Sequence, residues 1–586
     1  MKKTLLLALL FLPLLAWKNQ DDDNWKDKVD ASLLAKVSKG DEASFLILMQ
    51  AQAELGESRN LKSKEEKGAF VFNRLRQTAR ESQGAVINLL EREKAPYRSF
   101  FIVNMLQAKG GLALIRQLAE LDAVAQVQDN PAIKLAQPLP AETEEVGLRD
   151  GLEWGLEKIN ADDVWAMGYN GQGVVIGGQD TGYEWDHPAI KSKYRGWNGT
   201  TVNHNYNWHD AIHEISPLTT NPNPNPCGLD SPVPCDDHNH GTHTMGTMVG
   251  DESDEGKKIG VAPGARWVAC RNMERGNGAP STYIECFEWF LAPTNLDNEN
   301  PDPTKAPHVI SNSWSCPEEE GCNPSNFLTM QMAVDNLKAA GVVVAVSAGN
   351  NGSSCSTVNT PSAMYENSFS IGATGQNDTI AGFSSRGPVL VDGSGRLKPN
   401  VAAPGVGVRS CVRYGGYATY SGTSMASPHV AGLVALMISA NPALAGQVEL
   451  IESIIEQTAR PMLSNQSCGS FSGLEVPNAV YGYGRVDALA AVMAALAVVD
   501  GKEVPGLVTV KVLPNPAHEE AVIAAEGLDS PAQLQVFALS GQLMRQSAWA
   551  PGQAFETIGL GDWPAGLYFF RLTAGGRAWT GKFAKQ

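Results

Sequence analysis

The sequence predicts a three-part chain centred on an α/β domain, with a mostly parallel, doubly wound sheet. A small α+β domain precedes it and a small antiparallel β-sandwich follows. Three features support this reading. Between residues 154 and 500, strand-like apolar runs such as those in HVISNSWS (308–315) and GVVVAVSAGN (341–350) alternate with runs of helical period. Such runs suit strands covered on both faces by helices. Residues 21–140 carry charged helical stretches between strand-like ones, in β-α-β-α-β order. From 507 onward apolar and polar residues alternate with frequent glycine, as in short antiparallel strands.

Met1-Lys2-Lys3 and the apolar run Leu5 to Ala16 read as a signal peptide over 1–20, too short to span a bilayer. No later stretch reaches about 18 uncharged apolar residues, so no transmembrane span is expected. In the next domain, 44–55, 99–107 and 124–136 are expected strands, and 67–92 and 112–124 expected helices. Residues 141–153 form an acidic, polar linker, and cleavage is expected between about Leu135 and Gly151. In the central domain, 258–273, 308–315 and 341–350 read as strands, and 282–292 and 325–341 as helices. The proline-rich stretch 209–235 reads as an inserted loop, with His209 and His213 solvated. Residues 506–586 form the last domain.

The chain of 586 residues is long enough for three or four domains. Its formal charge of −17 gives no basic surface for phosphates, which argues against a nucleic-acid partner. All nine cysteines lie between Cys227 and Cys468. In an exported chain that clustering suggests disulfides, with Cys227/Cys235, Cys316/Cys322 and Cys270/Cys286 spaced to close local bridges. The odd count leaves at least one of Cys355, Cys411 and Cys468 free.

Three segments carry chemistry. GVVIGGQD ends a buried strand on Asp180, HNHGTHTMGTMVG places His240 ahead of a small-residue helix, and GTSMASPHVAGLVALM sets Ser424 at a helix start, with Pro428 expected in its first turn. A serine there is ordinarily an N-cap, and a strand-end aspartate ordinarily shapes a turn. Together, however, a hydroxyl, a base to take its proton and an acid to orient the base make up the equipment of acyl transfer. The order Asp, His, Ser separates this chain from α/β-hydrolases and chymotrypsin-like enzymes.

On DTG at 180–182, HGTH at 240–243, SAGN at 347–350 and GTSMASPH at 422–429, the chain resembles the subtilisin-like serine proteases (subtilases). FSSRGP at 383–388 and APG at 403–405 match the same family. NHGTHTMGTMVG, IGVAPGARWVACRNM and ECFEWFLAP point to its bacillopeptidase F-like branch. The resemblance implies a subtilisin-like fold and a secreted serine endopeptidase made as a zymogen. Asp180, His240 and Ser424 would be the triad, and Asn350 with the Ser424 N–H the oxyanion hole. Ser313, Trp314, Ser315, Ser347, Ala348 and Gly349 would line the substrate cleft. Residues 21–140 resemble the family's inhibitory propeptides. No cofactor is expected for the chemistry; structural calcium stays open, Asp186 matching one ligand position. His243 would be a packed neighbour of the site, and Asn351 a less suitable donor than Asn350. VLPNPA, VFALSGQLM and WPAGLYFFRLTAGGRAWTGKFAKQ, with Lys582 and Lys585, resemble the C-terminal sorting domains of the type IX secretion system, which implies an outer-membrane translocon as partner. Two other functions compete: a silent subtilase-fold binder or adhesin, which would have lost a triad member, and a non-proteolytic acyl hydrolase, which would lack a peptide-length cleft.

Overall fold

The computed structural model describes residues 23–135, 139–140, 151–252, 257–314, 324–498, 509–513, 517–526, 531–538, 542–574 and 577–585. The expected signal peptide, most of the linker, Ser315, the Cys316/Cys322 pair and the PNP at 514–516 lie outside the described residues.

The N-terminal domain is a four-stranded antiparallel sheet in the order Tyr97–Phe100, Met105–Gly110, Ala43–Met49, Val124–Asp129. Its central strand is apolar at every position from Phe45 to Met49 because both faces are covered. Phe45, Ile47 and Met49 pack with the domain's own helices, whereas Leu46 and Leu48 join the core that includes Tyr283, Trp314 and Leu337. The stretch 99–107, expected as one strand, turns between Phe100 and Met105 instead. Asn104 holds that turn, its Nδ2 donating to the Ala51 carbonyl and the Ser82 hydroxyl, both at 2.7 Å. The helix expected over 67–92 is two, Lys64–Ser82 and Gly84–Arg92. Between them, the buried Gln83 amide donates to the Phe100 carbonyl and to Asn104 Oδ1, both at 2.9 Å.

The central sheet has seven parallel strands in the order Val401–Pro404, Phe369–Thr374, Val343–Ser347, Val309–Asn312, Val175–Asp180, Arg266–Arg271, Trp208–Asp210. Only Arg266–Arg271 of the strand expected over 258–273 is extended in the sheet. Ahead of it Pro263 and Gly264 turn the chain, while Ile259 and Val261 join the core. The loop expected from 209 begins as the edge strand, a piece too short to read from periodicity. Helix Thr423–Ala440 runs through the middle of the domain and is buried from Thr423 to Ile438. Its length and apolarity would suit a membrane span, but 89% of that window is buried inside the protein, which makes it a core helix.

The C-terminal residues form two antiparallel sheets, one of three strands and one of four, sharing a core that includes Ile523, Leu534, Val536, Trp549, Phe570 and Leu572. Lys585 Nζ donates to the carbonyls of Leu560 and Trp563.

Cys227–Cys235, Cys270–Cys286 and Cys355–Cys468 are bridged, and among the described residues the buried Cys411 is a free thiol. The last bridge spans 113 residues, so it removes far more unfolded-chain freedom than the local ones. Replacing Cys355 and Cys468 together by serine is expected to cost roughly 4 kcal/mol of stability. Denaturant unfolding of the oxidised protein against the double variant measures it.

Candidate active site

The strand Val175–Asp180 ends at the carboxyl edge of the sheet, where sites in open α/β sheets gather. Asp180 is buried, and its Oδ1 accepts the Thr181 N–H at 2.7 Å. Both of its carboxylate oxygens lie 2.8 Å from His240 Nδ1. An ionised carboxylate only accepts, so Nδ1 carries the proton and Nε2 is left as the basic lone pair. Nε2 is buried and has no hydrogen-bond partner among the described residues. A base placed for an incoming donor looks like this.

His240 opens the helix His240–Val249, which packs on Thr423–Ala440. Asp236 holds the helix start to the Asp180 turn. Its Oδ1 accepts from Thr181 Oγ1 and from the N–H groups of His238 and Asn239 at 2.8–3.0 Å, and its Oδ2 from the Thr242 N–H and hydroxyl at 3.1 and 2.7 Å. Two glycines permit that approach. A Cβ on Gly182 (φ +110°) would lie 1.8 Å from the Cys235 carbonyl oxygen, and one on Gly241 2.1 Å from that of Gly182.

Ser424 is the second residue of its helix. Pro428 therefore falls in the second turn, beyond the expected first turn. Its missing N–H leaves the Ser424 carbonyl without an intrahelical partner, and Ser313 Oγ donates to it at 3.2 Å. The exchange is mutual, because the Ser424 hydroxyl donates to the Ser313 carbonyl at 3.2 Å. Asn350 Oδ1 accepts from the Thr423 N–H and hydroxyl, both at 2.9 Å, which leaves Nδ2 free to donate. A Cβ on Gly422 would lie 3.6 Å from that Nδ2 and 3.7 Å from the Ser424 nitrogen. Both donors thus border one small space that Gly422 keeps open. Gly349, at φ +104°, turns the chain into Asn350 and donates its N–H to Thr423 Oγ1 at 3.2 Å. Ala348 donates to the Ile371 carbonyl, and Ser347 closes its strand.

The neighbouring histidines differ in character from His240. Burial draws His243 down to about 3 and His429 to about 4, so both are neutral at physiological pH. His243 stacks on Tyr420 at 4.6 Å between ring centroids, as expected of a packed neighbour. Burial, with the His240 ring beside it, also lowers His238. His209 and His213 are not solvated as expected. The Nε2 atoms of both contact the buried Glu285, at 2.8 and 3.0 Å, and Arg98 of the N-terminal domain pairs with the same carboxylate. Burial alone would raise Glu285, but the two imidazoles and Arg98 reverse it and hold the group well below the usual carboxylate range.

Trp314 is buried and stacked on Tyr283, ring centroids 3.8 Å apart. Beside it, Ile133–Lys134 pairs antiparallel with Asn277–Gly278, and the Leu135 N–H donates to the Gly276 carbonyl at 2.6 Å. Leu139–Pro140 pairs antiparallel with Tyr420–Ser421, next to the Ser424 helix. Asp186 is exposed, and among the described residues no group of three or more His, Cys, Asp or Glu side chains could hold a metal ion. No calcium site is assigned there. Sequence reasoning missed Asp236, although its place four residues before His240 in CDDHNH was the signal available.

The doubly wound α/β domain thus carries an aspartate-bound imidazole and a serine at a buried helix start, in the chain order Asp, His, Ser. Residues 171–484 match the subtilase family and residues 511–586 the secretion system C-terminal sorting domain. The chain belongs to the subtilase family, whose members are serine proteases. It is 33% identical to bacillopeptidase F of Bacillus subtilis (strain 168) over 88% of its own length, but spans 36% of that relative. It is 30% identical to subtilisin E of the same strain over 58% of this chain and 76% of the relative, and 32% identical to subtilisin DY of Bacillus licheniformis over 50% and 86%. The sorting domain assigns the protein to the cell exterior or surface.

Replacing Gly422 by valine is expected to leave the fold intact while filling the space between Asn350 Nδ2 and the Ser424 nitrogen. Turnover should fall about 100-fold with substrate affinity little changed, as steady-state kinetics on a peptide substrate would measure.

Proposed function

We propose that the protein is a serine endopeptidase that cleaves peptide bonds through an acyl-enzyme and is made as a zymogen. The Asp180–His240 contact carries this reading, because it fixes which imidazole nitrogen is the base. The Ser424 hydroxyl turns from the Ser313 carbonyl to His240 Nε2, gives up its proton and attacks the scissile carbonyl. The tetrahedral oxygen takes the space beside Gly422, receiving the Ser424 N–H and Asn350 Nδ2. His240 then returns the proton to the leaving amine, and water, activated by the same nitrogen, releases the acid. Side chains handle every proton in this sequence.

Extended substrate binds by adding a strand to Asn277–Gly278, the edge that Ile133–Lys134 occupies here. The N-terminal domain thus holds the place of a substrate, which supports an inhibitory role and cleavage just beyond Leu135. Secretion machinery in the outer membrane would be the partner of the C-terminal sandwich. An intact set of Asp180, His240 and Ser424 disfavours a silent binder, and an edge that pairs with extended chain disfavours a small-ester hydrolase.

The purified protein should digest casein, lose activity to phenylmethylsulfonyl fluoride, and be inert as Ser424→Ala. The Ser424→Ala chain, expressed alone, should also stay full length; its efficient maturation would rule out self-cleavage. Asn350→Ala should lower kcat by 10²–10³-fold, the magnitude established for the same donor in a subtilisin.

A further inference from the structure

Besides the strand pairing at Asn277–Gly278, the shared core and the Arg98–Glu285 pair, the N-terminal domain meets the central domain through the start of one helix. Helix Lys64–Ser82 begins with a capping box in which Ser63 and Glu66 satisfy one another's orphan groups, and its first turn lies on the catalytic domain. Lys64 Nζ donates to the Ala306 carbonyl and Lys67 Nζ to the Gly446 carbonyl, both at 2.7 Å. The two side chains are only 5% and 6% exposed. Gln447 reaches back, its Nε2 donating to the Lys62 carbonyl at 2.7 Å.

The surfaces are shaped to each other. A Cβ on Gly446 (φ +82°) would lie 2.8 Å from Lys64 Cα, and one on Gly341 (φ +83°) 2.9 Å from Gly446 Cα. Gly68 faces Pro303 at ordinary contact distance. Ala306 lies just ahead of strand Val309–Asn312 and Gly341 just ahead of Val343–Ser347. The contact therefore grips the amino ends of the central strands, whereas Asp180 lies at the carboxyl end of its strand and Ser313 and Asn350 lie past the carboxyl ends of theirs. Burying an ammonium is costly unless its donors are met, and burial draws Lys64 down to about 8. One main-chain carbonyl accepts from each ammonium, as carbonyls at helix C-termini do from lysines.

We infer that Lys64 and Lys67 form a retention clamp, which holds the N-terminal domain on the enzyme after the chain has been cut and so sets how long the enzyme stays silent. The inference rests on the zymogen reading above. Cutting beyond Leu135 frees only the strand end. The clamp at the opposite end of the sheet is untouched, and the fragment leaves only when both buried ammonium contacts break along with the Leu46, Leu48 and Arg98 contacts.

The test uses the full chain, wild type and Lys64→Met/Lys67→Met, a change that keeps the apolar stems and removes the charged donors. Maturation is followed by gel, retention of the N-terminal fragment by size-exclusion chromatography, and the delay before activity with a chromogenic peptide. The variant should be cut as fast as wild type, lose the fragment on the column and shorten the delay at least about tenfold, since two buried charge-assisted hydrogen bonds are gone. Normal cutting with wild-type retention and delay would overturn the clamp. Failure of the variant to be cut would overturn it too, because the contact would then serve folding rather than retention. A wild-type protein with neither retained fragment nor delay would instead sink the zymogen reading itself.

Discussion

The Asp180 carboxylate set against His240 Nδ1 is the constraint around which this molecule is arranged. One imidazole N–H, shared between the two oxygens of a buried acid at 2.8 Å, decides the tautomer, and only a rigid frame can hold that contact. The frame is a parallel strand that stops at its last residue on Asp180, a helix that begins at His240, and Asp236 binding both. Glycines at 182 and 241 let backbone pass where any side chain would collide. The Ser424 helix adds its own adjustment, because Pro428 exposes a carbonyl inside a helix and Ser313 occupies it. That exchange joins Ser424 to the residue that follows strand Val309–Asn312, so the two cannot drift independently.

The N-terminal domain shows how one strand can serve two cores. Phe45, Ile47 and Met49 close its own interior, while Leu46 and Leu48 are spent on the neighbouring domain. Half of that strand's apolar surface would therefore meet water if the domain stood alone. The two domains are consequently matched in shape, through Leu46 and Leu48, as well as in charge, through Arg98 and Glu285.

Most of the architecture was legible because buried parallel strands and core helices leave long, periodic signals. The Asp180, Asn312 and Ser347 strands and the helices Pro280–Leu291, Pro324–Ala339 and Thr423–Ala440 fall where their apolar runs predict. The errors are local and have physical causes. The turn at 101–104 is fixed by Asn104 through contacts distant in sequence, and the break at Gln83 by a side chain reaching the next strand. Trp208–Asp210 is too brief to show a period. His209 and His213 looked solvated because the carboxylate that gathers them, Glu285, lies more than 70 residues further on. The site residues themselves were visible as motifs, but the support from Asp236 and the space kept by Gly422 exist only in three dimensions.

The distribution of sulfur divides the chain into parts of unequal durability. Every cysteine sits between Cys227 and Cys468, and the first 140 residues have none. The central portion is stapled by covalent bridges, whereas the portion in front of it depends on packing and polar contacts. Outside the cell, where nothing repairs a damaged protein, the front portion is thus the more perishable of the two.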